Sequence, residues 1–239
     1  MHILKKMFTA ATGYWIHKIS TLPIGSDLYL DIHKRIKYGT LNIMFDVGAN
    51  IGQTWEWFRA SEPGAKIYCF EPVLKTFDEL KARTLMDKNC VLENIAMGEK
   101  KGEKVIKIFT DNSALNSLKD DVMNTGIDAW DEKIKIDTLD EYCFYNGIEK
   151  IDFLKIDTEG YELNVLEGAT QMLSKAAISM IFCEIGFLKS NNRNTYFADL
   201  SEWLAAKDYQ FFGLYNLVSN GSNIEFGNAL FIHKEIFAP

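Results

Sequence analysis

Ile43-Met44-Phe45-Asp46-Val47-Gly48-Ala49-Asn50-Ile51-Gly52-Gln53 is a short apolar run closed by a glycine, then a turn, then a run with helical spacing through Trp55, Trp57 and Phe58. That succession is the opening of a β–α unit. The rhythm repeats on both sides of an interruption. Lys66–Phe70 is apolar and stops at Glu71-Pro72. Residues 73–86 return to helical spacing through Val73, Phe77, Leu80 and Leu85, and Val91–Ile95 is a third strand. Farther on, Ile151–Asp157 and Ile178–Glu184 are strands. Helices follow them, on Leu163, Val165, Leu166 and Ala169 and over residues 195–206. Short strands alternating with helices predict an α/β fold: a doubly wound, mostly parallel seven-stranded sheet with helices on both faces. The last two apolar runs, Gln210–Tyr215 and Ala229–His233, flank Ser219-Asn220-Gly221-Ser222-Asn223 and predict a terminal antiparallel pair.

The interruption lies around 100–138. Lys104–Phe109 and Lys133–Asp137 alternate like exposed strands about the polar stretch Asp111–Ser117, which reads as a β-type insertion. Leu139–Gly147 then reads as a short helix with a glycine stop. Residues 43–239 thus form one domain. Residues 1–42 differ from it in charge: six cations (Lys5, Lys6, Lys18, Lys34, Arg35, Lys37) stand against Asp27 and Asp31. The chain as a whole carries −7, so this +4 segment leaves −11 for the rest. It reads as a basic, helical N-terminal appendage. Its stretch 4–19 is amphipathic with cationic and aromatic residues, which makes peripheral contact with an anionic membrane a candidate. A homodimer is carried alongside it.

Net negative charge counts against a partner bound by wrapping phosphates, so nucleic acid is not favoured. No apolar run approaches the ~18–20 residues needed to span a bilayer, and the N-terminus lacks the apolar core of a signal peptide. Cys69, Cys90, Cys143 and Cys183 form no CxxC pair, and the four histidines are scattered. Free thiols in a reducing, cytoplasmic setting are expected, without a zinc site.

Ligands of an open α/β sheet bind at the carboxyl ends of the strands. The loop after the first strand has Gly48, Asn50 and Gln53 where a dinucleotide fingerprint wants three glycines, which disfavours NAD or FAD. Gly48 and Gly52 still let backbone approach a ligand closely. Glu71, nineteen residues after Gly52 and directly after the second strand, is placed to accept hydrogen bonds from both hydroxyls of a ribose. Lys155, Asp157 and Glu159 alternate at the end of the strand that begins at Ile151. Burying Lys and Asp there gains nothing unless they are paired or used. Glu184 ends the next strand, so Asp157 and Glu184 are expected to converge over one pocket.

Together these blocks carry a family resemblance. Phe45 through Gln53, then Phe70-Glu71-Pro72, then Phe153 through Glu162 and Leu166-Glu167-Gly168-Ala169 closely resemble the FkbM family of methyltransferases, class I enzymes that use S-adenosylmethionine. Asn94–Gly98 and Ser113–Leu118 resemble the family's intermediate motifs. The likeness spans roughly residues 43–186. It implies that Asp46, Gly48, Ala49, Asn50 and Gly52 shape the cofactor loop, with Asp46 nearest the methionine amino group or its water. It implies Glu71 on the ribose diol, Asn94 and Ala96 by the adenine, and Asp157 near the transferred methyl and the acceptor. Family members are mostly O-methyltransferases acting on natural products or glycans, so the expected acceptor is a small molecule or glycan hydroxyl.

The proton of that hydroxyl must leave as the bond forms, and Asp157 is the expected base, with Lys155, Glu159 or Glu184 assisting. A divalent metal held by Asp157 and Glu184 is a variant that is not favoured, because no third oxygen ligand is identifiable. The acceptor roof is expected from the N-terminal segment, the 110–132 excursion or the 187–196 loop with its Lys189, Asn191, Asn192, Arg193 and Asn194. Trp15, Trp130 and Tyr196 are the candidate stacking aromatics. Competing readings are another acceptor (RNA ribose, nitrogen or carbon) and a non-catalytic nucleotide-binding protein of the same fold, with a nicotinamide oxidoreductase as its enzymic rival.

Overall fold

A computed structural model of the chain describes residues 2–14, 18–109, 129–189 and 193–237. Its main sheet has seven strands. β1 (Ile43–Val47), β2 (Lys66–Phe70) and β3 (Cys90–Glu93) run parallel and spread to one side. β7 (Ile151–Ile156) pairs parallel with the other edge of β1, and β8 (Ile178–Gly186) continues parallel beyond it. The hairpin β9 (Tyr209–Asn220) and β10 (Asn223–His233) closes the far side, with β10 antiparallel to β8. The spatial order β3-β2-β1-β7-β8-β10-β9 places the reversal of winding between β1 and β7. The seven-stranded, mostly parallel sheet and its antiparallel end are as the sequence predicts.

Both faces of this sheet are buried, and the strands alternate between two cores. Phe45, Val47, Leu154 and Ile156 face a core shared with Leu166, Leu200 and Phe231. Met44 and Phe153 face the opposite one with Phe58, Leu80 and Ile232. Every residue of β7 is buried, as expected of a central parallel strand. The helices that cover the faces are α3 (Gln53–Ser61), α4 (Leu74–Thr84), α5 (Leu139–Tyr145), α6 (Glu162–Glu167), α7 (Thr170–Ser174) and α8 (Phe197–Ala205). The single helix expected through Ala169 is divided between α6 and α7. A Cβ on Gly168 would lie 2.0 Å from the carbonyl oxygen of Gly98, so backbone crosses backbone there and only glycine fits. Asp140 then caps α7 by accepting from the N–H groups of Gln171 (2.8 Å) and Met172 (2.9 Å).

The insertion forms a sheet of its own. β5 (Gly102–Phe109) is antiparallel to β6 (Ala129–Asp137), and a strand not expected from sequence, β4 (Ala96–Met97), joins β6 in parallel. The two longer strands are not exposed on both faces: Ile106, Ile108 and Ile134 are buried against Val73 and Ala96. The polar stretch Asp111–Ser117 and the Ser113–Leu118 motif lie outside the described residues. The terminal hairpin is also tighter than expected, since both strands run on to leave only Gly221-Ser222 as the turn, with Gly221 at φ +66°.

The charge boundary at residue 42 is not a packing boundary. α1 (His2–Thr12) exposes every described side chain from Lys6 on. By contrast Ile32 and Leu41 are fully buried in the second core. The short helix α2 (Leu28–Leu30) leads into a wide turn, Asp31–Arg35. Asp152 then ties the segment to the foot of the sheet, accepting from Tyr38 Oη (2.7 Å) and the Asn42 N–H (2.8 Å). Among the described residues, no helix is long and apolar enough to cross a membrane.

Candidate active site

A cavity of about 270 Å³ opens at the carboxyl ends of β1, β2 and β7, at the reversal of strand order. The β1 loop is shaped by backbone. Gly48 (φ +79°) passes so close to β7 that a Cβ would sit 1.9 Å from the Asp157 carbonyl oxygen. The N–H groups of Gly48 and Ala49 both donate to the Phe70 carbonyl at 3.0 Å. Asn50 is also left-handed (φ +48°), a conformation its short amide tolerates better than most side chains, and its Oδ1 accepts from the Ile51 N–H at 2.8 Å.

Glu71 bridges two loops. Its Oε1 accepts from the Val73 N–H (2.9 Å) and its Oε2 from the Asn50 N–H (3.0 Å). Burial pushes the carboxyl up to about 7, against the pull of those two N–H groups. One oxygen is thus committed to each loop while the carboxylate still lines the cavity. Ala96, Met97, Val73 and Ile106 form an apolar side, the last of them brought by β5. Gln53, the last residue of the first motif block, also lines it, as do Thr54 and Thr76, which carried no signal in the sequence beyond their place on α3 and α4.

Three expected cofactor residues do not line the cavity. Asp46 is fully buried below it, paired with Lys155 Nζ at 3.2 Å, because the two residues are direct neighbours in the β1–β7 register. Gly52 begins α3 at φ +93° and faces α4, where a Cβ would approach Leu80 Cδ1 to 2.8 Å. Asn94 is a bracket: its Nδ2 donates to the carbonyls of Glu71 and Pro72, both at 2.9 Å, and so fixes the turn that presents Glu71.

The acids gather on the β7 side. Lys155 Nζ lies 3.2 Å from Asp157 Oδ2 as well as from Asp46, and 3.4 Å from the Gly48 carbonyl. Burial opposes its charge, but Asp157 and Asp46 outweigh that and raise its pKa above the ordinary lysine value. Lys155, expected to assist Asp157, is thus held against it as a fixed counter-charge. Asp157 and Glu184 converge as the neighbouring strands predict, and Glu159 joins them, with one carboxylate oxygen of each within 4.8 Å of the others. Glu159 is the third oxygen not identifiable from sequence. It stands at φ +53° just beyond the strand, 3.3 Å from Arg193 Nη2. Burial and the Asp157 charge push it up to about 7, against Arg193. Burial, with Asp157, Glu159 and Glu162 around it, pushes Glu184 up to about 9, and Asn194 Nδ2 donates to it at 2.6 Å.

Glu162 is the organiser that sequence reasoning passed over. It is fully buried, and its Oε1 accepts from the Thr158 N–H, Thr158 Oγ1 and the Gly160 N–H (2.9–3.1 Å). Its Oε2 accepts from the Thr195 N–H and Oγ1. One carboxylate thereby holds the Asp157–Gly160 turn against the loop that carries Arg193 and Asn194. Its only signal was its place at the end of the block Phe153 through Glu162.

A second cavity, of about 510 Å³, adjoins the first and shares Gln53, Thr54, Lys155 and Asp157 with it. Of the expected roof, the N-terminal segment contributes, through Gly25–Tyr29. The described part of the 187–196 loop does not line this cavity, and Trp130 and Tyr196 are not among its aromatics; Trp57 and Tyr29 are. Trp15, Asn191, Asn192 and residues 110–128 lie outside the described residues.

Comparison with known proteins gives a consistent picture. The family model described as the methyltransferase FkbM domain matches residues 46–211, running past residue 186, where the sequence resemblance ends. The chain is 23% identical over 144 residues to the 2-O-methyltransferase NoeI of Sinorhizobium fredii (strain NBRC 101917 / NGR234), covering 56% of this chain and 59% of that protein. It is 26% identical over 153 residues to the 31-O-demethyl-FK506 methyltransferase FkbM of Streptomyces tacrolimicus, covering 53% and 59%. The matches thus span 59% of the length of these curated relatives. Among solved structures, the precorrin-6y C5,15-methyltransferase of Geobacter metallireducens GS-15 superposes with a TM-score of 0.48 at 9% identity, over 89% of this chain and 91% of that one.

Proposed function

The chain belongs to the FkbM methyltransferase family, and from that premise we propose that it transfers the methyl group of S-adenosylmethionine to a hydroxyl of a small molecule, natural product or glycan. The observation that carries this reading is the position of Asp157, which lines both cavities at their seam. On one side lies a cavity suited to the cofactor, on the other a cavity free for an acceptor.

The first cavity fits the cofactor chemically. Glu71 has a buried carboxylate with only one N–H on each oxygen, which leaves lone pairs for the two hydroxyls of a ribose. Two such donors would offset the burial that now raises its pKa. Val73, Ala96, Met97 and Ile106 supply the apolar wall an adenine needs. When bound, S-adenosylmethionine supplies an electrophilic methyl on a positively charged sulfur.

The chain's own residues do the rest. Asp157, oriented by Lys155, takes the acceptor's proton. Lys155 is held in place by Asp46 from below, so the carboxylate that meets the acceptor has a fixed counter-charge. Glu159 lies within 4.8 Å of Asp157, and its pKa of about 7 suits passing a proton onward to solvent at neutral pH. A general base of this kind contributes roughly 10²–10⁴-fold. No cation is required by this scheme, so turnover is expected to survive EDTA.

Calorimetry with S-adenosylhomocysteine and with NAD tests the reading. Binding of the first and not the second is expected, and NAD binding alone would overturn it. The O-methyl assignment rests on the activities named for the two relatives. It is checked by locating the label on oxygen after transfer from methyl-labelled S-adenosylmethionine.

A further inference from the structure

The second cavity has a composition that selects a ligand. Its described charged lining residues are Lys155, Asp157 and Asp27, and the one cation is already bracketed by two carboxylates. An acidic ligand would find no counter-charge there, so the cavity suits a neutral one. Amides recur around it: Gln53 from α3, Asn216 from β9 and Asn228 from β10. An amide both donates and accepts, as a hydroxyl does, so a set of amides matches a ligand with several hydroxyls. Beside them stand Trp57 and Tyr29, the kind of flat apolar surface on which the C–H face of a saturated ring packs.

The wall is built rather than incidental. Asp31 is fully buried and gathers three partners: the Gly25 N–H at 2.8 Å, Tyr215 Oη at 2.7 Å and Arg35 Nε at 2.6 Å. One carboxylate thus pins the Gly25–Tyr29 strap to β9. Gly25 (φ +90°) lies so close to that strand that a Cβ would meet the Leu214 carbonyl oxygen at 2.3 Å. Opposite the strap, β9 carries an extra residue between Tyr215 and Val218 relative to β10, and Asn216 sits in it at φ +49°. A bulge of this kind re-aims a side chain, here one that lines the cavity.

We propose that this cavity is the acceptor site and that it takes a neutral pyranosyl unit, with Trp57 as its packing surface, Gln53, Asn216 and Asn228 as its hydroxyl partners, and the Gly25–Tyr29 strap as its wall. The assignment rests on the methyltransferase reading above, and it places the sugar against Asp157 on the side away from Glu71. Asp31 and Tyr215 are positioning residues that hold the strap.

Saturation-transfer NMR tests this on the full chain loaded with S-adenosylhomocysteine. The probes are methyl α-glucopyranoside, methyl β-galactopyranoside and methyl α-mannopyranoside, with methyl glucuronide as the charged counterpart. At least one neutral pyranoside is expected to receive saturation, and the glucuronide none. Trp57→Ala should reduce the signal roughly fivefold or more with S-adenosylhomocysteine affinity unchanged. Trp57 also packs on Phe58 and Phe153, at ring-centroid distances of 5.3 and 6.4 Å, so Asn216→Gly serves as the second variant. It removes the amide while keeping a backbone that glycine adopts freely, and the same loss is expected. Silence from all neutral pyranosides on a protein that binds S-adenosylhomocysteine overturns the acceptor assignment alone. So does equal saturation of the glucuronide, or a signal that survives Asn216→Gly. Failure to bind S-adenosylhomocysteine overturns the methyltransferase reading instead.

Discussion

The two cavities share Asp157 and Lys155 but are built in opposite ways. The cofactor-side cavity is made mostly of strand ends and the turns that directly follow them, so its residues come in contiguous blocks: Val47–Asn50, Phe70–Val73, Asp157–Glu159. The other cavity joins the Gly25–Tyr29 strap to a bulge near Tyr215 and to Asn228, segments about 190 residues apart at their closest. A block fixed by backbone geometry tolerates little change. A wall assembled from remote pieces is free to vary with the ligand, because altering it leaves the strand-end turns intact.

The largest test of that contrast is at the shared residue. Asp157→Asn should lower turnover by roughly 10²–10⁴-fold while S-adenosylhomocysteine affinity stays within a few-fold. Retained turnover would move the base elsewhere, and equal loss of both would place Asp157 on the cofactor side alone. Next comes Glu71→Ala. It removes two buried hydrogen bonds to a carboxylate and the diol's partner, so S-adenosylhomocysteine should bind about 10–100-fold more weakly in calorimetry. An unchanged Kd would remove the ribose role.

On the acceptor side, Tyr215→Phe deletes one bond to Asp31, worth about 1 kcal/mol, and should raise the acceptor KM several-fold without touching cofactor affinity. A shift in cofactor affinity instead would show that the two cavities are not independent. The smallest effect is on stability. Glu71 and Glu159 titrate near 7 and Glu184 near 9 in the folded chain, against about 4.3 when unfolded. The folded state then holds more protons between those limits, so stability falls as pH rises from about 4 to about 9. Thermal melting should show that decline, and Glu184→Gln should flatten its alkaline half. A Tm that rose over that range would contradict the three assignments.

The same contrast explains what the sequence disclosed. Strand ends were legible because apolar runs stop abruptly at Gly48, Glu71 and Asp157, and because charge in such runs demands a reason. The Lys155–Asp46 pair was half visible, since each lies next to last in its strand, but their register needed the fold. Gly52 and Asn94 were assigned to the cofactor because a motif does not distinguish contact from support. One packs on Leu80, and the other holds the Glu71 turn. Glu159 was a candidate, but its convergence with Asp157 and Glu184 was hidden, because a single left-handed residue beyond the strand end sets its direction. Of the proposed acceptor wall, only the share of the N-terminal segment was legible, and not its residues. Tyr29, Trp57 and Asn216 share no spacing, and the +4 charge that marked residues 1–42 as separate says nothing of Ile32 and Leu41 in the core.

One arrangement bears on how the chain is made. β10 lies between β8 and β9 in the sheet although β9 precedes it in the chain. During synthesis every strand of the cofactor half, through β8, leaves the ribosome before the hairpin exists. β9 then has no partner until β10 is extruded and slots in beside β8. The strands through β8 can therefore pair first, while the strap at Gly25 waits for Leu214 and Tyr215 to give it a seat. A nascent chain halted before β10 would hold the strap's seat on a strand with no neighbour in the sheet.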